Sequence, residues 1–206
     1  MIKATSVLPL GYSAIGPGQI ANVVTSLEML EPPALRQTKR LRPGVSISSL
    51  DRSDPAIYRT LFRTIGETWL WSSRLTMSDD ALRAILDDPR VDILALHKDE
   101  DDIGLVELDF RQDGVCELAF FGLVAAATGQ GLGGALMDVA LDRAWSRPIS
   151  RFWVHTCTFD HPAALGFYIR SGFTPYAFHV EALPDPRLTG HLPRDAAPQA
   201  PLITPA

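Results

Sequence analysis

The segment Thr128-Gly129-Gln130-Gly131-Leu132-Gly133-Gly134 constrains this chain more than any other. Four of its last six residues are glycine. It lies between a stretch that reads as a strand, Val115–Leu123, and one that reads as a helix. In the helix, Leu132, Ala135, Leu136, Val139 and Ala140 fall at the i, i+3, i+4, i+7, i+8 positions of one face. Glycines at such a junction let the backbone approach a ligand closely, with its N–H groups aimed outward. The helix N-terminus adds partial positive charge, so the loop suits a phosphate or pyrophosphate. The plainer reading is a turn with a few packing glycines.

Composition narrows the classes around this loop. The chain has 206 residues, 46% hydrophobic and 21% charged, which is ordinary for a globular protein and too apolar for a disordered one. A net charge of −5, without any run of Lys or Arg, argues against a nucleic-acid partner. Two cysteines, Cys116 and Cys157, without a CxxC pair, exclude a disulfide scaffold and a cysteine zinc site. The expectations are therefore no metal and a reduced, cytoplasmic setting. The first thirty residues are broken by Pro9, Gly11, Gly16 and Pro17 and lack the apolar core of a signal peptide. No run of 18 apolar residues occurs, so no membrane partner is expected.

Proline marks the edges of the fold. Five of the sixteen prolines lie between Pro9 and Pro43, six more from Pro184 onward, and five in between. Proline interrupts ladders and helices, so residues 44–183 read as the continuous domain. Residues 184–206 read as a loosely ordered, Pro-rich tail. Residues 1–43 read as an N-terminal extension carrying a strand at Ala21–Met29, ended by Pro32-Pro33. Within the domain, Val45–Leu50 reads as a strand. Asp51–Asp54 with Pro55 opens a helix through Ile57, Leu61, Ile65 and Trp69. Ser78-Asp79-Asp80 caps a second helix through Leu82, Ile85 and Leu86, and Val91–His97 is a strand. Val106, Leu108 and Phe110 alternate with Glu107 and Asp109, a half-buried strand. Asp113-Gly114 then turns a hairpin into Val115–Leu123. Arg151–Thr156, Pro162–Arg170 and Phe173–Val180 read as strand, helix and strand. The fold class is an α/β mixed sheet, largely antiparallel and flanked by helices.

Two ligands compete for the loop. Gly129, Gly131 and Gly134 satisfy the dinucleotide pattern GxGxxG. That pattern belongs at the end of a strand in a parallel βαβ unit, with an acidic residue about 20 positions on. Here a hairpin precedes the loop and Trp153-Val154-His155-Thr156 follows the helix, so NAD fails on context. The other ligand is coenzyme A. Glu117–Leu123, the loop Thr128–Gly133, and His161-Pro162-Ala163-Ala164-Leu165-Gly166-Phe167-Tyr168-Ile169-Arg170-Ser171-Gly172-Phe173 resemble, in that order, the central strand, the cofactor loop and the tyrosine segment of the GNAT (Gcn5-related) N-acetyltransferases. The resemblance covers residues 44 to 183. Thr128 stands where the family carries Gln or Arg, and His161 where it carries Asn.

The resemblance implies acetyl-CoA as donor and direct attack by a primary amine in a ternary complex. It implies Tyr168 as the acid for the departing thiolate and Glu117 as acceptor of the amine proton, with Glu107 and Asp109 as rivals. The cofactor site it implies comprises the backbone around Phe121, Leu123 and Val124, the loop residues Thr128, Gly129, Gln130, Gly131, Leu132, Gly133 and Gly134, and His161 with Tyr168. Gly122 breaks the strand's alternation and is expected to mark a bulge or splay that opens the sheet for a ligand. Trp69, Trp71 and Arg74 fall where the family binds its acceptor, although helix packing and a surface Arg explain them equally well. Asp160 is expected to cap the last helix, with His161 competing, and Cys157 reads as a small core residue. The acceptor is a small-molecule or peptide amine. The alternative activity is a non-catalytic acyl-CoA-binding or sensing module of the same fold. The N-terminal extension is also a candidate dimerisation arm, giving a homodimer.

Overall fold

The computed structural model describes residues 7–33, 41–52 and 54–205. Residues 1–6 and 34–40 of the N-terminal extension, Ser53 and Ala206 lie outside them. Seven strands form one sheet: β1 (Gln19–Met29), β2 (Val45–Ser49), β3 (Val91–Lys98), β4 (Asp101–Asp109), β5 (Val115–Leu123), β6 (Arg151–Cys157) and β7 (Thr174–Pro184). Their order is β2-β3-β4-β5-β6-β1-β7. Every neighbouring pair is antiparallel except β5 and β6. Helices α1 (Pro55–Gly66), α2 (Asp79–Leu86), α3 (Leu132–Trp145) and α4 (Ala164–Arg170) cover the sheet. α1 and α2 pack on one face, burying Tyr58, Phe62, Leu82 and Leu86 against Ile93 and Leu105. α3 and α4 pack on the other, where Leu136, Ala140 and Tyr168 meet Leu27, Leu118 and Phe152.

β1 is not an appended arm. It runs between β6 and β7, antiparallel to both, and completes the sheet. Its β-branched run identifies a strand locally, but its place in the order rests on pairings more than 120 residues away, such as Val24 with Cys157. The tail also departs from expectation. Leu192, Ala196, Ala197 and Ala200 are buried against Ile20 and Leu70. A chain without regular elements must satisfy its carbonyls another way. Here the Arg187 guanidinium, paired with Asp185 at 2.7 Å, donates to the carbonyls of Ala196 (3.2 Å) and Ala200 (2.7 Å). Arg63 and Gln199 then tie this segment to α1 and the turn after it, through His191 O and Thr68 O.

Several local signals hold. Asp54 accepts from Ala56 N (2.8 Å), Pro55 opens α1, Ser78 caps α2 through Ala81 N (3.2 Å), and Gly114 takes φ 70° in the hairpin. α1 stops earlier than its four-residue spacing suggests. Its buried stripe is Tyr58, Leu61, Phe62 and Ile65, and Trp69 lies in a 3-10 turn at Glu67–Trp69. A Cβ on Gly66 would stand 2.4 Å from the Trp71 Cβ, so the chain turns where Trp71 folds back over the helix end. β4 is buried on both faces rather than one, because α1 covers the Glu107 side.

Candidate active site

β5 and β6 pair only from Val115–Leu118 against Arg151–Val154. Beyond Val154 the two parallel strands separate, although each continues for three to five residues. The result is a wedge with one edge of Ala119–Leu123 unpaired. A bulge sharpens it: Leu118 faces Leu108 and Phe120 faces Glu107, leaving Ala119 without a partner on β4. The bulge is at Ala119 rather than Gly122, and the expected splay is the separation of β5 from β6 beyond Leu118. The bulge turns Phe120 and Gly122 towards α1 and puts Phe121 and Leu123 on the side of α3 and α4. Gly122 is small for a different reason. A Cβ there would meet Ile65 at 2.4 Å and the Trp71 ring at 3.1 Å.

The glycine loop lies at the wide end of this wedge, on the α3 side. Gly129 and Gly131 adopt φ 77° and 81°, the left-handed region that favours glycine, and a Cβ on either would meet nothing within 4 Å. Gly131 is the N-cap of α3 and offers no side chain to the first turn. The N–H groups of Gly129, Gln130, Gly131, Leu132, Gly133 and Gly134 accordingly point at no acceptor among the described residues. A cradle of free amides at a helix N-terminus, with no acidic residue in that turn, fits a pyrophosphate. Leu123 and Phe167 pack beside Gly133, 3.7 and 3.8 Å from where its Cβ would stand, and join the loop to the wedge. The side chains around it are already engaged: Gln130 donates to Ala126 O (2.6 Å) and Thr128 to Val124 O (3.4 Å). The N–H of Val124 is held by Ile103 O (2.9 Å), which removes it from the donors available to a ligand.

α4 closes the same side. Phe167 stacks on Phe121 (5.4 Å between centroids), and Tyr168 packs edge-on against Phe121, Phe167 and Phe173. Tyr168 is 7% exposed. Burial, with the charge of Asp160 adding to it, raises its phenol well above the ordinary value, so the group stays protonated. His161 holds the start of this segment: its Nδ1 accepts from Ala163 N (3.0 Å), and its ring meets Trp69 edge-on at 5.3 Å.

The opposite side of the wedge carries the carboxylates. Glu107 is fully buried and both oxygens are engaged, one by the Tyr58 hydroxyl and the other by Arg74 at 2.5 Å. Asp109 is bound by Arg111 in the turn. Among the described residues Glu117 alone of the three has a carboxyl that no arginine or tyrosine binds; the His155 ring lies nearby, with Nδ1 at 3.9 Å. Burial, reinforced by the negative charges of Asp109 and Glu107, pushes Glu117 up to about 7. It lines an open hollow of about 370 Å³ together with Asp109, Arg111, Gln112, Val115 and Trp153.

The three expected acceptor residues divide. Arg74 is buried against Glu107 and stacked on Phe120 (4.8 Å), so its charge serves the interior rather than a substrate carboxylate. Trp69 lies beside His161 at the rim. Trp71 reaches across the wedge: packed on Phe62 and Phe120, it donates from Nε1 to Asp160 Oδ1 (3.1 Å). Asp160 is not the helix cap. Its other oxygen accepts from Thr156 Oγ1 and Cys157 N, both at 2.8 Å, which fixes the end of β6. Asp160 and His155 are the site residues that sequence reasoning placed elsewhere or passed over. Their neighbours come from distant segments, and nothing in the local pattern signals them. Among the described residues no group of three or more His, Cys, Asp or Glu is arranged to hold a metal, and no helix is long and apolar enough to cross a membrane.

A family model described as the acetyltransferase (GNAT) family matches residues 56–173, which contain the wedge, the loop and α4. No curated protein matches the chain in sequence. Among solved structures, a GCN5-related N-acetyltransferase from Sphaerobacter thermophilus superposes with a TM-score of 0.60 at 12% identity, covering 82% of this chain and 52% of that one. A GCN5-related N-acetyltransferase from Kribbella flavida gives 0.52 at 19% identity, covering 84% and 63%. The ribosomal-protein-S18-alanine N-acetyltransferase of Escherichia coli gives 0.53 at 17% identity, covering 68% and 94%. The chain thus spans about half to two thirds of the two larger neighbours, and at these identities the likeness is one of fold.

Proposed function

We propose that this chain, which belongs to the GNAT acetyltransferase family, transfers an acetyl group from acetyl-CoA to a primary amine, and that it does so in the wedge between β5 and β6. The observation that carries the reading is the placement of three features around one opening. A cradle of amides without a partner among the described residues lies at Gly129–Gly134, a protonated Tyr168 on the same side, and on the other Glu117, which no arginine binds among the described residues.

Acetyl-CoA supplies the acyl group and a thiolate leaving group. The amides of the loop hold its pyrophosphate, and the free edge of Ala119–Leu123 offers backbone groups to an extended amide-bearing arm. The proton acceptor and the proton donor then approach the acyl carbon from opposite sides of the sheet. Glu117 takes the proton that the amine loses as its nitrogen bonds to carbon, and Tyr168 gives a proton to the sulfur as the carbon–sulfur bond breaks. A carboxyl near 7 suits the first role at neutral pH, and burial keeps the phenol protonated, so that it holds a proton for the second. The acceptor is a small-molecule or peptide amine entering over Glu117, and the setting is the cytoplasm. Calorimetric titration with acetyl-CoA, CoA and NAD tests the reading. Micromolar binding of the two CoA forms without NAD is expected, followed by acetyl-CoA-dependent thiol release on a panel of primary amines. Absence of CoA binding refutes it, and binding without turnover on any amine favours a sensing module.

A further inference from the structure

We propose that His155 is a further catalytic residue, which receives the amine proton at the wedge and passes it to Glu117. The inference rests on the transferase reading above but on different residues. Glu117 lies in the part of β5 still paired with β6, opposite Trp153, one residue before the strands separate. It therefore sits at the closed end of the wedge. His155 is the first β6 residue past the last pair, Leu118 with Val154, and shares a face with Glu117. Its Nδ1 stands 3.9 Å from Glu117 Oε1, a separation that a small rotation of either side chain brings to hydrogen-bond length. The imidazole retains 39% of its exposure where Glu117 retains 28%, so of the two the histidine is the more open to an incoming amine. Its ring lies beside that of Trp153, 6.0 Å between centroids and tilted by 30°, which limits its swing.

The surroundings hold the ring neutral enough to accept a proton. Desolvation lowers its pKa, opposed by the negative charges of Asp160 after β6 and Glu181 on β7 and assisted by His179 on β7. From β1 it faces Ser26, which carries no charge. With Glu117 accepting at Nδ1–H, the free Nε2 is the basic nitrogen. As the amine nitrogen bonds to the acyl carbon, its proton moves to Nε2 and the Nδ1 proton moves to the Glu117 carboxylate. The acyl–sulfur bond breaks with its electron pair on sulfur, which takes the Tyr168 proton. Glu117 then returns its proton to Nδ1 as Nε2 releases its own to solvent, and solvent restores the proton of Tyr168. One proton is lost by the amine and one gained by the thiolate, so the step balances.

The test uses His155→Ala in the full chain, with acetyl-CoA calorimetry as the check that the variant folds. With the wild type's best amine in the thiol-release assay, kcat is expected to fall about 100-fold, within the range for proton-transfer groups, at unchanged acetyl-CoA affinity. Added imidazole is expected to restore part of it, which no packing role would allow. Separately, ¹⁵N-histidine spectra should show His155 as the Nδ1–H tautomer in the wild type and lose that preference in Glu117→Gln. A kcat within twofold of wild type, no response to imidazole, or an Nε2–H tautomer in the wild type overturns the relay while leaving the transferase reading intact. A wild type that releases thiol with no amine overturns the transferase reading, and the tautomer experiment still decides whether the pair exists.

Discussion

Replacing Glu117 with glutamine is expected to make the protein more stable and less active, and the gain should depend on pH. In the folded chain burial raises this carboxyl from 4.5 to about 7. At 1.36 kcal/mol per tenfold change, that rise amounts to about 3.4 kcal/mol of penalty on the ionised form. The side chain keeps 28% of its exposure, so solvent relieves part of this, and about 2 kcal/mol is the working figure. The sign follows from linkage. The folded state binds this proton more tightly than the unfolded state, so the penalty is absent below 4.5, grows as pH rises through the window from 4.5 to about 7, and is complete above it. Glutamine never ionises and escapes it. Urea denaturation of both proteins should therefore give a variant more stable by about 2 kcal/mol at pH 8, equivalent to about 4–8 °C in Tm for a chain of this size. Most of that difference should vanish at pH 5. Over the same range, wild-type kcat/KM should rise with pH towards a plateau above about 7, while the variant loses about 100-fold at pH 8. A stability difference independent of pH, or a less stable variant at pH 8, would refute the claim that Glu117 is held desolvated. Full activity in the variant would remove it from proton transfer.

Three further outcomes are expected. Tyr168→Phe should lower kcat more than about tenfold and leave acetyl-CoA affinity nearly intact by calorimetry, since the ring's contacts with Phe121 and Phe173 survive. Gly131→Val forces a β-branched residue to φ 81°, at a cost of about 1–2 kcal/mol, and its side chain enters the open cradle; acetyl-CoA binding should be lost while circular dichroism shows a retained fold. Gly122→Ala should destabilise by about 1–3 kcal/mol in urea, because its Cβ has no room between Ile65 and Trp71, and the displaced indole should weaken its bond to Asp160.

What the sequence made legible was what local physics determines. The glycine loop, the Asp113-Gly114 hairpin, the caps at Asp54 and Ser78 and the stripe of α3 each depend on neighbours a few residues away. The order of strands does not. β1 reads as a strand from its own residues, but only the unpaired edges of β6 and β7 decide that it belongs between them. The Pro-rich tail reads as loose because its order comes from Arg187 binding carbonyls nine to thirteen residues further on, a pattern without periodicity. At the candidate site, Tyr168 and the loop were proposed by resemblance. The pairing of Glu107 with Arg74 could not be read, because it joins β4 to the segment before α2. Asp160 illustrates the same limit: an acidic residue just before a helix reads as a cap, and here its carboxylate turns back to β6 and Trp71 instead.

The most direct measurement is hydrogen exchange of the backbone amides with and without saturating acetyl-CoA. The loop amides from Gly129 to Gly134 have no partner among the described residues and should exchange rapidly in the free protein. Acetyl-CoA is expected to slow them strongly, together with amides on the free edge of Ala119–Leu123, and to leave α2 and the β2–β3 pair unchanged. Binding that protects other segments and leaves Gly129–Gly134 exchanging as before would contradict the wedge as the site of transfer.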